Sequence, residues 1–358
     1  MTWSPDAPYN ALPELPPDVE LETRAVLKAT IEARDLLARL DASAQALPNA
    51  SVLINAIPLL EAQASSEIEN IVTTADELFS AAHAEDPAAS PAAREALRYR
   101  TALRSGFEHI GARPLTSRTA TQICGTLRGH DVQVRTGPVY IGDPASRRRV
   151  YTPPDTPADL ARLLENWTTF LNAPSDLDPL VRMAVAHYQF EAIHPFTDGN
   201  GRTGRILNVL MLCDAGLLHL PVLYLSGHII ETKDEYYRRL TAVTERGAWE
   251  DWIRYMVEAV RRTAERTLDL VRRIADVETE IVDLTRAALG SANRDLIAVL
   301  MEQPYARNRD VINRCQVSRP TATKWLKELA GHGVLQEVRV GREVLYINTR
   351  LMGVLRRP

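Results

Sequence analysis

The segment from residue 192 to residue 205, AIHPFTDGNGRTGR, limits the possible folds of this chain more than any other stretch. Gly199, Gly201 and Gly204 satisfy the pattern G-x-G-x-x-G, which in dinucleotide-binding folds joins a buried parallel strand to a helix. Here the preceding residues, AVAHYQFEAI, carry apolar side chains at helical spacing, and no acidic residue ends a second strand about twenty residues downstream. The sequence therefore argues against a dinucleotide-binding fold and predicts a loop between two helices.

The rest of the chain is predicted to be mainly helical. It is rich in Ala, Leu, Arg and Glu and has only 6% aromatic residues, a mixture that favours helices over strands. Apolar periodicity predicts helices in the first hundred residues and again over residues 157–171 and 178–193. In the first hundred residues it predicts a helix or helical pair over residues 20–47 and two further helices divided at Pro58. The residues expected to form the core contacts of the first helix are Leu27, Ile31, Leu36, Leu37 and Leu40.

Two segments have the residue pattern of short antiparallel strands. Residues 134–152 place β-branched and aromatic runs on both sides of the turn residues Gly142, Asp143 and Pro144, which predicts a β-hairpin. From residue 291 onward, three helical stretches precede the runs VLQEVRV and EVLYINT, which turn at Gly341 and Arg342. This order is typical of a winged helix-turn-helix.

The C-terminal segment is locally basic, although the whole chain has a formal charge of −4. From residue 291 it contains twelve Lys and Arg against six Asp and Glu. If its third helix entered a major groove, Arg319, Lys324 and Lys327 would reach the DNA. Winged helices also serve as protein-binding or dimer modules, so DNA, another protein and a homodimer all stay open at this point.

The residues of the glycine-rich segment have the chemistry of a polyphosphate site. Gly199, Asn200 and Gly201 allow backbone amides to converge at the start of a helix, which makes an anion site. Arg202 and Arg205 lie three residues apart on that helix and suit forked contacts with successive phosphates.

An acidic and a basic group complete the segment. Asp198 beside a phosphate pocket implies a bridging cation, and Mg²⁺ fits a carboxylate oxygen. His194 can accept a proton from a hydroxyl at neutral pH. The combination predicts transfer of a phosphate-linked group to an alcohol.

The run from His194 to Arg205 matches the whole signature H-P-F-x-D-G-N-G-R-x-x-R, and the chain thereby resembles the Fic family. The resemblance implies a protein adenylyltransferase that moves AMP from ATP to a Ser, Thr or Tyr hydroxyl of target proteins, itself included, and releases diphosphate. It implies His194 as the general base and Asp198 as the Mg²⁺ ligand. The implied ATP-binding residues are Glu69, His194, Gly199, Asn200, Gly201, Arg202, Thr203, Gly204, Arg205 and Tyr237.

The resemblance extends to the segments around the signature. It implies that the hairpin at 134–152 is a flap that docks the target by strand addition, and that Tyr237, with Tyr236 second, closes over the base. Ser65, Glu69 and Asn70 fit the inhibitory motif [S/T]-x-x-x-E-[G/N], in a helix at about residues 59–72. A glutamate presented to Arg205 would compete with the γ-phosphate for that guanidinium.

The expected architecture has four parts: an N-terminal helical region at 1–105, a Fic catalytic domain at 106–260, a linker helix at 261–290 and the winged helix at 291–358. Two other functions are weighed against AMP transfer. Removal of AMP from modified proteins would use Glu69 to position water. In a transcription regulator, the winged helix would act while the Fic region senses a nucleotide.

Several features receive plainer interpretations. His187 and Glu191 have a spacing that suits a metal, but no third ligand is evident, so a surface pair or core contact is expected. Arg147, Arg148 and Arg149 form either a solvated turn or a substrate contact. The three separated cysteines indicate reduced thiols. With no signal peptide and no membrane span in the sequence, the expected location is the cytoplasm.

Overall fold

The computed structural model describes residues 3–47, 51–84, 90–142, 148–340 and 343–356. Within these ranges the chain forms fifteen helices and five short strands. The predicted class, a mainly helical protein with a small β-hairpin, is confirmed. The N-terminal helices are α1 (Arg24–Ala46), α2 (Ser51–Ile68), α3 (Ala75–Ala84) and α4 (Pro91–Ile110).

The middle of the chain contains the hairpin and the helices around the signature. It consists of α5 (Ser117–Arg128), β1 (Ile141–Gly142), β2 (Arg149–Tyr151), α6 (Pro157–Asn172), α7 (Pro179–Ile193), α8 (Asn200–Asp214), α9 (Leu225–Glu231) and α10 (Lys233–Arg246). The remainder consists of α11 (Trp249–Leu289), α12 (Arg294–Glu302), β3 (Tyr305–Ala306), α13 (Asn308–Cys315), α14 (Arg319–Gly331), β4 (Gln336–Val340), β5 (Glu343–Ile347) and α15 (Thr349–Leu355).

Helix α7 lies at the centre of the core and positions the signature loop. It is buried on nearly all sides, which is the pattern of an internal helix. The indole N–H groups of Trp167 and Trp252 donate to backbone carbonyls of α7 at 3.0 and 2.8 Å. Asp178 caps the N-terminus of the helix with a hydrogen bond to the Leu180 amide. These bonds anchor α7 in the core, and the signature begins directly after its last residue, Ile193.

The predicted break at Pro58 is wrong, because α2 is a single helix with Pro58 inside it. Proline lacks the amide that would bond one turn back and normally bends or ends a helix. Here Ile57, Leu59 and Leu60 on either side of Pro58 are fully buried. Packing of this apolar face outweighs the lost hydrogen bond.

The predicted core face of α1 is partly wrong. Leu37 and Leu40 are buried, but Leu27 is 42% and Ile31 70% exposed. Helix α1 lies against the long helix α11, and its other buried residues are smaller and were not predicted. These residues are Val26, Thr30, Ala33 and Ala44.

The predicted hairpin is present as the antiparallel pair β1 and β2, in which Ile141 is paired with Tyr151. Its predicted turn residues Asp143 and Pro144, and Arg147 beside them, lie outside the described residues. The Tyr151 hydroxyl donates to the Ala192 carbonyl at 2.9 Å and ties the hairpin to the end of α7. The N-terminal arm runs beside β2, where the Tyr9 amide donates to the Thr152 carbonyl.

The C-terminal segment has the predicted order of elements. Helices α12, α13 and α14 precede the antiparallel pair β4 and β5, and β3 adds a third strand beside β5. The predicted turn at Gly341 and Arg342 lies outside the described residues. Two predicted domain boundaries, after residues 105 and 260, fall inside α4 and α11, and the division into domains stays a prediction. None of the described helices combines the length and apolar character needed to cross a lipid bilayer.

Candidate active site

The signature loop connects α7 to α8 through a sharp turn at His194. His194 has a φ of 50° and a ψ of 59°, and its amide donates to Phe190 at the end of α7. A left-handed conformation is uncommon for a residue other than glycine and marks a position that its surroundings hold in place. Arg135 provides this hold, because its Nε donates to the His194 carbonyl at 2.8 Å and its amide donates to the Pro195 carbonyl.

The loop is closed by Asn200, whose side chain bonds both backbone groups of Phe196 at 2.9 and 2.7 Å. Gly199 precedes α8 with a φ of 88°, which suits glycine. Helix α8 therefore starts at Asn200, within the signature, and no side chain caps its N-terminus. Its first amides have no acceptor inside the helix, and together with the helix dipole they favour an anion.

Arg205 is buried and bound by the segment that the sequence singled out as inhibitory. Its Nε donates to the Ser65 hydroxyl, and its Nη2 donates to the Ser65 carbonyl and to Glu69 Oε1, all at 2.8 Å. Burial alone would raise the pKa of Glu69, but the charge and hydrogen bond of Arg205 hold this pKa below its ordinary value. The structure thus pairs Glu69 with Arg205.

Glu69 also lies against the first turn of α8. A Cβ atom added to Gly201 would lie 2.5 Å from Glu69 Oε1 and 2.9 Å from Arg205 Nη1. The carboxylate therefore occupies the space over the glycine where an anion would approach the helix terminus.

Asn70, the last residue of the predicted inhibitory motif, acts on the backbone of the segment. Its φ is 62°, and its side chain accepts a hydrogen bond from Lys233 and does not contact Arg205. Asparagine tolerates the left-handed conformation that ends a helix. Asn70 thus turns the chain immediately after Glu69.

Arg202 and Asp198 have partners that sequence reasoning missed. Arg202 Nη2 donates to Asp198 Oδ1 at 3.0 Å, and Nη1 pairs with Glu95 on α4. Arg128, the last residue of α5, pairs with Asp198 Oδ2. Because Glu95 and Arg128 belong to distant helices, no local spacing in the sequence indicates their contacts.

The His194 imidazole is held in its neutral form. Burial disfavours the charged ring, and although the Glu191 carbonyl opposes this effect, the pKa of His194 is lowered to about 4. The side chain is therefore able to accept a proton at neutral pH.

The two candidate tyrosines are distinct in their surroundings. Tyr236 is 1% exposed and its hydroxyl bonds His187 Nε2 at 2.8 Å, so it belongs to the core. Tyr237 is 39% exposed. Burial of its ring is the main cause that raises the pKa of Tyr237. The nearby charge of Glu69 raises this pKa further, and the charge of Arg205 opposes the rise. Tyr237 is thus the one of the two that is accessible beside the loop.

His187 and Glu191 lie behind the loop and form no metal site with a third residue among the described positions. His187 is 2% exposed, and burial lowers the pKa of its ring to about 3. Burial also raises the pKa of Glu191 to about 8. A Cβ at Gly204 would lie 2.4 Å from Glu191 Oε1 and 3.2 Å from the His187 ring. The third glycine of the G-x-G-x-x-G pattern is thereby explained by packing.

The sequence matches three family profiles in succession. Residues 27–108 match the Fic/DOC family N-terminal region, and residues 113–212 match the Fic/DOC family itself. Residues 285–351 match the C-terminal domain described as protein adenylyltransferase SoFic-like. The signature from His194 to Arg205 lies within the second match.

Curated relatives and solved structures agree with these matches. The protein adenylyltransferase fic-1 of Caenorhabditis elegans is 33% identical over 146 residues, which are 40% of this chain and 26% of the relative. The protein adenylyltransferase Fic of Drosophila melanogaster is 34% identical over 140 residues, 38% of this chain and 25% of the relative. The matched region thus spans about a quarter of the length of these relatives.

A Fic family protein from Desulfovibrio desulfuricans G20 has a similar fold, with a TM-score of 0.62, 20% identity and coverage of 92% of this chain and 97% of that one. Fic-1 from C. elegans gives a TM-score of 0.54 with 23% identity over 69% of this chain and 73% of that one. The chain belongs to the Fic family.

Proposed function

We propose that the protein is an adenylyltransferase that moves AMP from ATP to a hydroxyl of a target protein and of itself. The observation that carries this proposal is the uncapped N-terminus of α8, with a neutral His194 at one end of the loop and Arg202 and Arg205 on the helix. The curated relatives that share this region are named protein adenylyltransferases.

The proposed reaction follows from the placement of these groups. The target hydroxyl gives its proton to the His194 imidazole, and its oxygen forms a bond to the α-phosphorus of ATP. The bond between that phosphorus and the diphosphate oxygen breaks, and diphosphate leaves with the electron pair. The α8 amides and the two arginines stabilise the charge that develops on the phosphate oxygens.

The residues at the loop fit a magnesium ion. Asp198 offers a carboxylate that is 51% exposed, and Mg²⁺ is usually bound by one or two carboxylates together with substrate phosphates. When bound, the ion would neutralise charge on the transferring and leaving phosphates. Asp198 would then exchange at least one of its arginine partners for the ion.

We infer the positions of the target segment and of the nucleotide base from the hairpin and from Tyr237. The N-terminal arm bonds Thr152 beyond β2, so the proposed docking edge for a target segment is that of β1, where Tyr140 is 63% exposed. Tyr237, exposed beside Arg205, is proposed to cover the base of the nucleotide.

We propose that Glu69 inhibits the enzyme within its own chain. The carboxylate accepts a hydrogen bond from Nη2 of Arg205 and lies over Gly201. A γ-phosphate would need the same guanidinium and the same space. ATP would then bind only in a displaced position, with the α-phosphorus out of line with the hydroxyl.

The function is tested by incubating the Glu69→Gly variant with Mg²⁺ and ATP labelled on the α-phosphate. Transfer predicts label and the added mass of one AMP on the protein, together with released diphosphate. Incubating an AMP-modified target with the wild type tests the alternative reaction, in which water attacks the phosphorus of the attached AMP and the target hydroxyl and free AMP are released. Release of AMP without any transfer by the variant would favour the removal reaction.

The burial of His194 predicts an unusual pH dependence. The reaction needs the neutral imidazole, so the rate falls as the pH drops through its folded pKa, which burial lowers to about 4. Loss of Glu69 removes a charge that raises this pKa. In the Glu69→Gly variant, we therefore expect kcat/KM for ATP to fall on the acid side at a pH well below about 6.5, the ordinary pKa of histidine. Circular dichroism at each pH controls for unfolding, and a limb near the ordinary value contradicts the assignment.

We also propose that the C-terminal segment binds duplex DNA through α14. The helix buries Ala322, Leu326 and Leu329 on one face, while Lys324 and Lys327 are exposed on the other and Arg319 is exposed at its first residue. The structure gives these three cations no ion pair within the described parts of the chain. Unpaired cations on the solvent face of this helix suit phosphates and base edges.

Replacing Lys324 and Lys327 together by alanine is expected to weaken binding to a duplex probe and to reduce the slope of log affinity against log salt by about two. The matched control replaces Arg24 and Lys28, two exposed cations of α1. Binding and salt slope that are the same for both double variants would argue against α14 as the DNA surface.

A further inference from the structure

Three of the arginines at the signature loop pair with carboxylates. Arg205 pairs with Glu69, Arg202 with Glu95 and Asp198, and Arg128 with Asp198. The signature accounts for Arg202 and Arg205. Arg128 lies outside it, as the last residue of α5.

Arg128 is held against the loop by packing. A Cβ at Gly199 would lie 3.6 Å from the Arg128 Cδ atom, so the aliphatic part of the arginine lies directly beside the residue that precedes α8. The guanidinium reaches Asp198, and the side chain is 33% exposed. Arg202, by contrast, is 3% exposed and has Glu95 as a second partner. Arg128 is therefore the more exposed of the two arginines that bind Asp198.

Both oxygens of Asp198 are taken in this structure, Oδ1 by Arg202 and Oδ2 by Arg128. If Asp198 binds a cation together with nucleotide phosphates, the ion competes with the two arginines for the carboxylate oxygens, and Arg128 is the more exposed of the two. A guanidinium released at this position faces the phosphate chain, and forked contacts to phosphate are the strongest that arginine makes. The complex of ATP with one magnesium ion keeps a net negative charge. Arg128 would join Arg202 and Arg205 in offsetting this charge.

We propose that Arg128 is a third phosphate-binding arginine, which leaves Asp198 and binds the phosphate chain when ATP arrives. This assignment rests on the proposed function, because it requires that the loop binds ATP. It explains why an arginine from a separate helix is packed against Gly199. The proposal also accounts for the ion pair between Arg128 and Asp198, which the arriving nucleotide and its metal ion can replace.

The test measures ATP binding by titration calorimetry in the Glu69→Gly background, with Mg²⁺ and with the metal chelated. Arg128→Ala is expected to weaken ATP binding about tenfold under both conditions, since one charge-assisted contact is lost. Arg128→Lys keeps the charge and is expected to recover part of that loss. The matched control is Arg118→Ala, an exposed arginine in the first turn of the same helix, which should bind ATP like the parent. Thermal unfolding of each variant checks that the fold is retained.

Two results overturn the assignment. If Arg128→Ala binds ATP as tightly as the parent, Arg128 does not contact the nucleotide. If Arg128→Ala leaves ATP binding unchanged with the metal chelated and tightens it with Mg²⁺, Arg128 merely occupies Asp198 until the ion arrives. Failure of the Glu69→Gly parent itself to bind ATP would instead overturn the proposed function, and the assignment with it.

Discussion

Replacing Glu69 by glycine is expected to raise self-labelling with AMP by roughly ten- to a hundredfold, which corresponds to the loss of one strong charge-assisted hydrogen bond. In the structure Glu69 Oε1 lies 2.8 Å from Arg205 Nη2 and over Gly201. Without the carboxylate, Arg205 is free for the γ-phosphate, and the space beside the α8 terminus opens. The measurement is the initial rate of label incorporation at equal protein and ATP concentrations.

Glu67→Gly is the matched control for this experiment. Glu67 lies in the last turn of α2, and Glu69 follows directly after the end of that helix. The structure shows no bond from the Glu67 side chain to Arg202 or Arg205. Its replacement makes the same chemical change and is expected to leave labelling near the wild-type rate. Equal rates for wild type and Glu69→Gly would contradict inhibition by Glu69, and equal increases in both variants would assign the effect to loosening of α2.

Replacing His194 by alanine in the Glu69→Gly background is expected to lower AMP transfer by about 10²–10⁴-fold, the usual contribution of a general base. ATP binding should stay within about twofold, because the amides of α8 and the two arginines hold the phosphates. The side chain is neutral and sits where the chain turns from α7 into α8. Single-turnover labelling and calorimetric ATP binding are measured on the same preparations.

The control for the histidine is His130→Ala, an exposed histidine beyond α5 that should leave both quantities unchanged. The left-handed backbone at position 194 calls for a second variant, and His194→Asn keeps a residue that tolerates this conformation. If ATP binding and rate fall by the same factor in both His194 variants, the histidine holds the loop in place and does not act as the base.

Much of the architecture could be predicted from local patterns. The helices on both sides of the signature follow from apolar spacing, and the hairpin follows from turn residues between β-branched runs. The signature predicted the loop, its two arginines and Asp198, because a run of closely spaced motif residues limits both the backbone conformation and the chemistry of the site. The segment from Ser65 to Asn70 could be singled out only because it fits the inhibitory motif of the family that the signature resembles.

The features that escaped prediction depend on tertiary packing. Pro58 does not divide α2, because burial of its apolar neighbours outweighs one lost hydrogen bond. The core face of α1 depends on which side meets α11, and periodicity alone favoured the larger side chains Leu27 and Ile31. Arg128 and Arg135 bind the loop from outside the signature, and a single sequence does not show which distant charged residues converge on one site.

The central claim is that the turn between α7 and α8 binds the triphosphate of ATP and presents the α-phosphorus to His194. The most direct test is a crystal structure of Glu69→Gly with Mg²⁺ and an ATP analogue that carries a methylene group between its α- and β-phosphorus atoms. We predict phosphates on the amides of residues 199–202, contacts from Arg202 and Arg205, and the His194 imidazole facing the α-phosphorus. An empty turn, or an imidazole directed away from that phosphorus atom, would contradict the account.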